Sequence, residues 1–300
     1  MRCSVQVTYF PGCTLKTKAI GFEKSLLAAT AALDLHLVEM ADWNCCGATF
    51  PLLADNALDL AGPAHILVEA RKASRRLAVA CTTCYNVLRR TNHVIRSDES
   101  IRDKLNFFIE ADYTGDLDVV DVLQIIRDDI GFEAVARAVR QPLRDLKVAS
   151  YYGCMVLRPP AEVAYDDPEN PRALDDLMAA LGAEPVAYPH KTECCGAFLA
   201  VKSSETTAEM CYPILSAARS AGAEVLVTNC PVCQFNLDRQ QAALVRRNGA
   251  FRPLPVLYYS QLLSLALGLD ASGFGFDKHY VSLQPLLERF PAVGVPEARG

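Results

Sequence analysis

The 300-residue sequence lacks a long uninterrupted apolar run, and its amino terminus lacks the apolar core and cleavage site of a signal peptide. We therefore expect a cytoplasmic chain without a transmembrane segment. Basic residues are not in excess, because 30 Lys and Arg stand against 35 Asp and Glu, a formal charge of −5. That balance argues against a general nucleic-acid binder. Neither a Gly-x-Gly-x-x-Gly fingerprint after a strand nor a Walker motif occurs, so we expect this chain itself to bind no flavin or nicotinamide.

Cysteine is the residue that the sequence has in excess. There are 12 cysteines, while hydrophobic residues make up 51% and charged residues 22%, proportions that exclude a disordered chain. In a reducing compartment an ordered set of cysteines indicates metal or redox chemistry more often than disulfides. Cys3 and Cys211 lie outside the ordered set, and we expect them to be small buried side chains.

The other ten cysteines form a pattern that occurs twice. In the first copy a cysteine is followed after 31 residues by Cys-Cys-Gly and after a further 33 by Cys-x-x-Cys; in the second the intervals are 39 and 33. An interval of 33 residues in both copies indicates an internal repeat, which we divide into domains 1–144 and 145–300. The first set is Cys13, Cys45, Cys46, Cys81 and Cys84, and the second is Cys154, Cys194, Cys195, Cys230 and Cys233.

Short β-rich runs alternate with helical patterns along both copies. This alternation predicts an α/β fold: two domains related by a pseudo-twofold, each a small, mostly parallel four-stranded sheet covered by helices. Pro213 is expected to start or kink a helix, and the tail from Ala271 is expected to wrap the surface. The expected strands are Val5–Tyr9, Leu35–Glu39, Leu77–Ala80, Asp118–Asp121, Lys147–Tyr151, Pro185–Tyr188, Glu224–Thr228 and Pro255–Tyr258.

The cysteines follow the expected strands, so parallel pairing would bring five thiols of each copy to one sheet edge. Cys81 and Cys230 also precede expected helices, whose N-terminal amides favour thiolate over thiol. Structural zinc takes four ligands, and so does a cubane iron–sulfur cluster. Five cysteines therefore indicate a less usual cluster, or one cysteine with a chemical role. The adjacent Cys45 and Cys46 favour ligation of different irons, because neighbouring side chains on extended backbone diverge.

The repeated element resembles the CCG domain, and two such elements in tandem resemble the B subunit of heterodisulfide reductase. The resemblance covers about residues 5 to 265. It extends to the stretches YYGCMVLRPP (151–160), DDPENP (166–171) and KTECCGA (191–197). It implies a disulfide/thiol oxidoreductase that holds two non-cubane 4Fe–4S clusters, one on each set of five cysteines, and splits a disulfide between them. It also implies two partners, a ferredoxin-type (HdrC-like) protein and a flavin-containing (HdrA-like) protein.

Met155 departs from the resemblance, since members from methanogens have a histidine at the matching position. A histidine could protonate a leaving thiolate, whereas methionine cannot. Candidates for a catalytic side chain are Lys202, His190 and Arg158. Three alternatives stay open: a CCG-type electron-transfer subunit without substrate chemistry, a sulfur-transfer subunit of a sulfur-oxidising heterodisulfide-reductase-like complex, and a zinc-stapled scaffold.

Overall fold

The computed structural model describes residues 5–48 and 56–291, which contain two sheets of four parallel strands. The first sheet has the order β2-β1-β3-β4 and the second the order β6-β5-β7-β8, so the topology repeats. The α/β architecture expected from the sequence is confirmed. The strands are β1 (Val5–Phe10), β2 (Leu35–Glu39), β3 (Arg76–Val79), β4 (Asp118–Asp121), β5 (Lys147–Tyr151), β6 (Glu184–Pro185), β7 (Val225–Thr228) and β8 (Val256–Tyr258).

Helices cover both sheets. A five-residue π-helical turn, Ile126–Ile130, follows the fifth helix, and three short 3₁₀ turns occur at Ala57–Leu60, Ala197–Leu199 and Phe276–Lys278. Among the helices of the described ranges, none combines the length and the apolarity that a membrane span requires. The helices are α1 (Ile20–Ala32), α2 (Ala61–Ala73), α3 (Thr82–Ser97), α4 (Glu99–Phe108), α5 (Val122–Ile125), α6 (Phe132–Ala138), α7 (Pro160–Val163), α8 (Ala173–Ala180), α9 (Ser204–Ser220), α10 (Pro231–Arg239), α11 (Gln241–Arg247), α12 (Tyr259–Ala266) and α13 (Gln284–Arg289).

Two elements differ from the sequence expectation. The edge strand β6 spans two residues instead of 185–188, and Pro185 itself lacks the N–H that a longer ladder needs. Helix α9 contains Pro213 in its interior instead of starting beside it. The true start is capped by the Ser203 side chain, which accepts a hydrogen bond from the Thr206 amide. Burial of the apolar side chains along α9 offsets the free energy lost with the backbone hydrogen bond that Pro213 cannot donate.

One hydrophobic core extends over both halves of the chain, and a second lies within the C-terminal half. Helix α1 of the first half packs against α12 of the second, and Ser25 Oγ lies 2.6 Å from Ser260 Oγ in this interface. The rings of Phe22 and Tyr258 stack across it, with centroids 4.4 Å apart and planes 4° from parallel. The division at residues 144 and 145 stays a prediction; the first sheet ends at Asp121 and the second begins at Lys147.

The C-terminal tail is more deeply embedded than expected. It follows the surface only in part, because its apolar side chains enter the core and it forms α13. The Gln261 amide donates to the Phe274 carbonyl at 2.9 Å, which fixes the tail beside α1 at Gly21. The glycine and proline content predicted a surface tail, but isolated phenylalanines along it are buried in the core. The buried apolar tail residues are Ala271, Phe274, Phe276, Leu283, Leu286 and Phe290.

Two candidate cysteine centres

The loops that follow three neighbouring strands carry the cysteines in each half. In the first half these loops follow β1, β2 and β3, and in the second they follow β5, β6 and β7. Cys81 and Cys230 are the N-cap residues of α3 and α10. Parallel strands end at one edge, and the structure brings the thiols of each half together there. We call the two groups the N-terminal centre and the C-terminal centre.

The N-terminal centre contains two close sulfur pairs. Cys13 Sγ lies 3.6 Å from Cys45 Sγ, and Cys46 Sγ lies 3.3 Å from Cys84 Sγ. The adjacent Cys45 and Cys46 therefore point to different partners, as expected for neighbours on extended backbone. The hydrogen bond between the Cys46 and Cys84 sulfurs is the largest cause of a lowered pKa at Cys46.

The C-terminal centre repeats this pairing. Cys195 Sγ lies 3.4 Å from Cys233 Sγ, and the Cys154 thiol hydrogen-bonds to Cys194. That bond, together with the Gly196 amide 3.3 Å from the sulfur, lowers the pKa of Cys194 to about 6. The same sulfurs thus meet in both halves, which makes the two centres equivalent in construction.

Glycine is required where the chain passes each centre. Gly12 has a φ of +72°, and a Cβ atom there would lie 2.9 Å from Cys84 Sγ. Gly153 has a φ of +68°, and a Cβ atom there would lie 3.3 Å from Cys233 Sγ. Both the left-handed backbone and the close approach of sulfur exclude a side chain at these positions.

Tyr258 lies where the two centres approach each other. Burial, followed by the negative charges of Cys230 and Cys81, raises the pKa of its phenol well above the usual value. Its hydroxyl donates to Gln234 Oε1 at 3.3 Å. Since Cys230 belongs to one half and Cys81 to the other, the centres meet at the interface between the halves.

Comparison with known proteins identifies the repeat. The CCG family, described as a cysteine-rich domain, matches residues 7–89 and 148–238. The chain belongs to the cysteine-rich domain family. Both family segments include the Cys-Cys-Gly and Cys-x-x-Cys elements, so each cysteine-rich domain coincides with one centre. This confirms the CCG resemblance inferred from the motifs.

Curated relatives match nearly the whole chain. The chain is 32% identical to the 8-methylmenaquinol:fumarate reductase membrane anchor subunit of Wolinella succinogenes, over 94% of this chain and 99% of that protein. It is 30% identical to the B subunit of the ferredoxin/F(420)H(2)-dependent CoB-CoM heterodisulfide reductase of Methanosarcina acetivorans, over 92% and 94%. Together with the paired cysteine-rich domains, these relatives support an oxidoreductase family and a heterodisulfide-reductase-like iron–sulfur protein.

One solved structure shares the fold. A hypothetical protein from Helicobacter pylori aligns with a TM-score of 0.73 at 12% identity. The alignment covers 94% of this chain and 53% of that one, so this chain spans about half the length of the solved protein. At this identity the likeness concerns the fold of the paired cysteine-rich domains alone.

The three catalytic candidates near the C-terminal cysteine-rich domain are either paired with a neighbouring carboxylate or exposed to solvent. His190 Nδ1 lies 2.7 Å from Glu193 Oε1, and Arg158 Nη2 lies 3.1 Å from Glu169 Oε1. Lys202 is exposed. His190 and Arg158 therefore each contact the carboxylate of a nearby glutamate. A catalytic role for any of the three stays a prediction.

Sequence reasoning missed several buried polar residues beside the cysteines of both cysteine-rich domains. Thr82 is 1% exposed, directly follows Cys81, and its buried hydroxyl has no hydrogen-bond partner among the described residues. The pKa of Cys230, in the other half, is lowered to about 7, chiefly by Cys233. Asn229 and Asn236 are fully buried in the second half. Comparison of the copies position by position would have found the two asparagines, because the first copy has apolar residues there.

The donor atoms fit an iron–sulfur cluster better than a single ion. Within residues 5–48 and 56–291, no group of three or more Cys, His, Asp or Glu is arranged around one metal position, whereas structural zinc takes four ligands in a tetrahedron. The sulfurs instead form separate pairs, a donor set suited to a cluster whose irons are ligated individually. Two surface cavities of about 410 and 350 Å³ are lined by residues outside both centres.

Proposed function

We propose that this chain is the component of a heterodisulfide-reductase-like complex that reduces a disulfide, or forms it in reverse, between two non-cubane 4Fe–4S clusters. The observation that supports the proposal is the matching construction of two cysteine centres on either side of one interface. Cys46 Sγ lies 3.3 Å from Cys84 Sγ in the first half and Cys195 Sγ lies 3.4 Å from Cys233 Sγ in the second, and Phe22 stacks on Tyr258 where the halves pack. Two facing centres offer one site for each sulfur of a disulfide.

The proposed ligands differ in their exposure to solvent. In each half three thiols are buried and two lie nearer the surface. When bound, the clusters would supply the two electrons that disulfide cleavage requires. The ligands would be Cys13, Cys45, Cys46, Cys81 and Cys84 in the N-terminal centre and Cys154, Cys194, Cys195, Cys230 and Cys233 in the C-terminal centre.

The chain's own groups would position these ligands. Cys81 and Cys230 cap the N-termini of α3 and α10. After the larger effect of Cys233, backbone amides of α10 contribute to lowering the pKa of Cys230, which favours the thiolate form that ligation requires. Burial of both cysteines, at 3% and 2% exposure, excludes water from the inner sides of the centres. Met155 supplies no proton, so a leaving thiolate would take its proton from another group or from solvent. We propose that electrons arrive from a ferredoxin-type partner, fed in turn by a flavoprotein.

A second candidate is a subunit that passes electrons without substrate chemistry. The 32% identity with the fumarate reductase subunit over 99% of its length favours it, and so does Met155. In this case the chain would connect a quinol-linked reductase to its electron donor or acceptor. The two candidates share the clusters and differ in the disulfide.

The first test is metal analysis of the full chain after anaerobic purification. Two four-iron clusters require about eight irons and eight acid-labile sulfides per chain. About four irons with one zinc would replace the proposal with a one-cluster carrier. Zinc without sulfide, even after supply of iron, would leave a structural scaffold.

The second test separates the two candidates. The loaded chain is reduced with dithionite and mixed with a small disulfide or with a menaquinone analogue, and reoxidation is followed by absorbance. Oxidation by the disulfide with release of two thiols per disulfide supports the reductase. Oxidation by the quinone alone supports the electron-transfer subunit. The Cys195→Ser variant is the control, because it is expected to lack one centre.

A further inference from the structure

The two centres differ in the buried amides beside them. The third residue after the second cysteine of Cys-x-x-Cys is Asn236 in the second half and Val87 in the first. The residue before the first cysteine is Asn229 in the second half and Ala80 in the first. All four side chains are at most 1% exposed. At these two positions the C-terminal centre has amides and the N-terminal centre has aliphatic side chains. Asn86, a buried amide of the first half, uses its Nδ2 for the Met155 and Arg158 carbonyls.

Asn236 already faces a cysteine of the C-terminal centre. Its Nδ2 atom lies 3.4 Å from the Cys195 carbonyl oxygen and 3.7 Å from Cys195 Sγ. A carbonyl only accepts hydrogen bonds, so the group that faces it must be the amino group. The two N–H bonds of this amino group can serve the carbonyl and the sulfur together. Asn236 therefore presents a donor to the cysteine sulfur.

Asn229 has polar atoms that no protein group satisfies. It is 0% exposed, and neither its Nδ2 nor its Oδ1 finds a hydrogen-bond partner among the described residues. Buried amides are almost always hydrogen-bonded, because an unmet donor or acceptor in the interior is costly. Asn229 directly precedes Cys230, one of the proposed ligands. The sulfur atoms of a cluster held by Cys230 are the acceptors that would satisfy its N–H groups.

Hydrogen bonds to cluster sulfurs change the midpoint potential. Reduction adds one negative charge to a cluster, and a donor N–H stabilises the more negative state more strongly. The low dielectric of the interior strengthens this difference. A centre with additional buried amide donors is therefore easier to reduce than an otherwise equivalent centre without them.

We propose that Asn229 and Asn236 donate hydrogen bonds to the sulfur atoms of the C-terminal cluster and give it a more positive midpoint potential than the N-terminal cluster. This inference rests on the proposed function, because it requires a cluster in each centre. The first electron that enters the chain then resides on the C-terminal cluster. The C-terminal cluster is therefore reduced before the N-terminal cluster.

The test is a potentiometric measurement on the anaerobically loaded full chain, with dithionite as the reductant and electron paramagnetic resonance as the readout. Each cluster takes up one electron, and the wild-type chain should show two steps. Asn236→Leu, which removes the donor with little change in volume, should shift the more positive step to lower potential. The expected change in the reduction equilibrium is about tenfold, or ~59 mV for a one-electron couple. Val87→Asn should shift the other step upward.

Two further variants complete the design. Asn229→Ala reproduces the residue of the first half and should also lower the more positive step. Asn92→Leu removes a buried amide that donates to the Leu117 carbonyl, eight residues beyond Cys84, and should move neither step. If both asparagine variants of the C-terminal centre keep full iron and leave the potentials unchanged, the inference is wrong. It is also wrong if they shift the more negative step.

Iron content distinguishes this failure from that of the proposed function. Should the wild-type chain contain fewer than two clusters, the proposed function fails and the inference fails with it. When two clusters are present and the steps do not move, only the tuning role is lost. If Asn236→Leu does not load iron, Asn229→Ala and Val87→Asn still decide the result.

Discussion

The ring of Phe22 in α1 lies flat against the ring of Tyr258 at the end of β8, 4.4 Å between centroids. Phe22 belongs to the first cysteine-rich half and Tyr258 to the second. Phe22 is fully buried, so the contact is part of the shared core. Because Tyr258 also lies near Cys81 and Cys230, the packing of the halves and the approach of the two centres depend on the same pair of rings.

Phe22→Ala is expected to destabilise the whole chain. Removal of a fully buried phenylalanine costs about 3–5 kcal/mol of unfolding free energy, through lost burial and the cavity that remains. Urea unfolding under anaerobic conditions measures the change. Ile20→Ala in the same helix is the control, because that side chain is 41% exposed and its loss should cost little. Equal stabilities of the two variants would contradict the interface described.

Cys195→Ser should remove the cluster of the C-terminal centre and leave that of the N-terminal centre. Cys195 is 1% exposed and pairs with Cys233, so serine would leave the ligand set incomplete. Iron and sulfide per chain should fall to about half of the wild-type content, since one of two four-iron clusters is lost. Full iron with unchanged spectra would show that the five-ligand assignment is wrong.

Cys211→Ser is the matched control for this experiment. Cys211 is also fully buried, and its thiol donates to the Cys195 carbonyl at 3.5 Å, but it lies outside the repeat. A serine hydroxyl can keep that hydrogen bond. Iron content should therefore stay at the wild-type value. A loss equal to that of Cys195→Ser would mean that Cys211 is itself a ligand.

Gly12→Ala should lower both stability and iron content. The left-handed backbone alone costs about 1–2 kcal/mol for a residue with a Cβ, and the added methyl would press on Cys84 Sγ. Gly131→Ala separates the two effects, because Gly131 has a φ of +81° with no atom near its Cβ position. That variant should lose stability but keep its iron. Thermal unfolding and iron analysis of both variants measure the difference.

Asp121 should make stability fall as the pH rises. Burial raises the pKa of its carboxyl to about 8, and its Oδ2 has no hydrogen-bond partner within the described residues. The unfolded chain loses this proton at about pH 3.9. The folded state therefore binds one more proton between these values, and the contribution is complete below about pH 4 and lost as the pH rises through about 8.

Asp121→Asn is expected to flatten this dependence. Asn keeps the cap oxygen that accepts from the Leu123 amide but cannot ionise. Thermal midpoints at about pH 5.5 and pH 8.5, on either side of the raised pKa, should differ more for the wild type than for the variant. Asp121→Ser, which also keeps a capping oxygen, should behave like Asn. If the wild type and both variants show the same pH dependence, the carboxyl is ionised in the folded state.

Much of the fold follows from the sequence because the repeat supplies each signal twice. Apolar runs and cysteine spacing placed all eight strands within a few residues. The edge strand β6 was overestimated because pairing ends after Pro185, a limit that local composition does not express. Helix α9 was underestimated because Pro213 suggested a boundary, whereas Ser203 supplies the actual cap. Strand pairing decided the first case and side-chain capping the second.

The candidate site was also predictable only in part. The grouping of thiols could be expected, since parallel strands end at one edge. The position of Tyr258 between the centres could not, because it depends on how the two halves pack. The ion pairs of His190 and Arg158 also depend on loop geometry that composition leaves open. Motifs therefore predict the ligands of a centre better than they predict its surroundings.

The fusion of both cysteine-rich domains in one chain has a genetic consequence. In a symmetric dimer of identical subunits every substitution would appear beside both centres at once. Here positions 80 and 229 are encoded separately, as are positions 87 and 236. Each half can therefore acquire a residue that the other half lacks. The two cysteine-rich domains can then diverge in function while they keep the same fold.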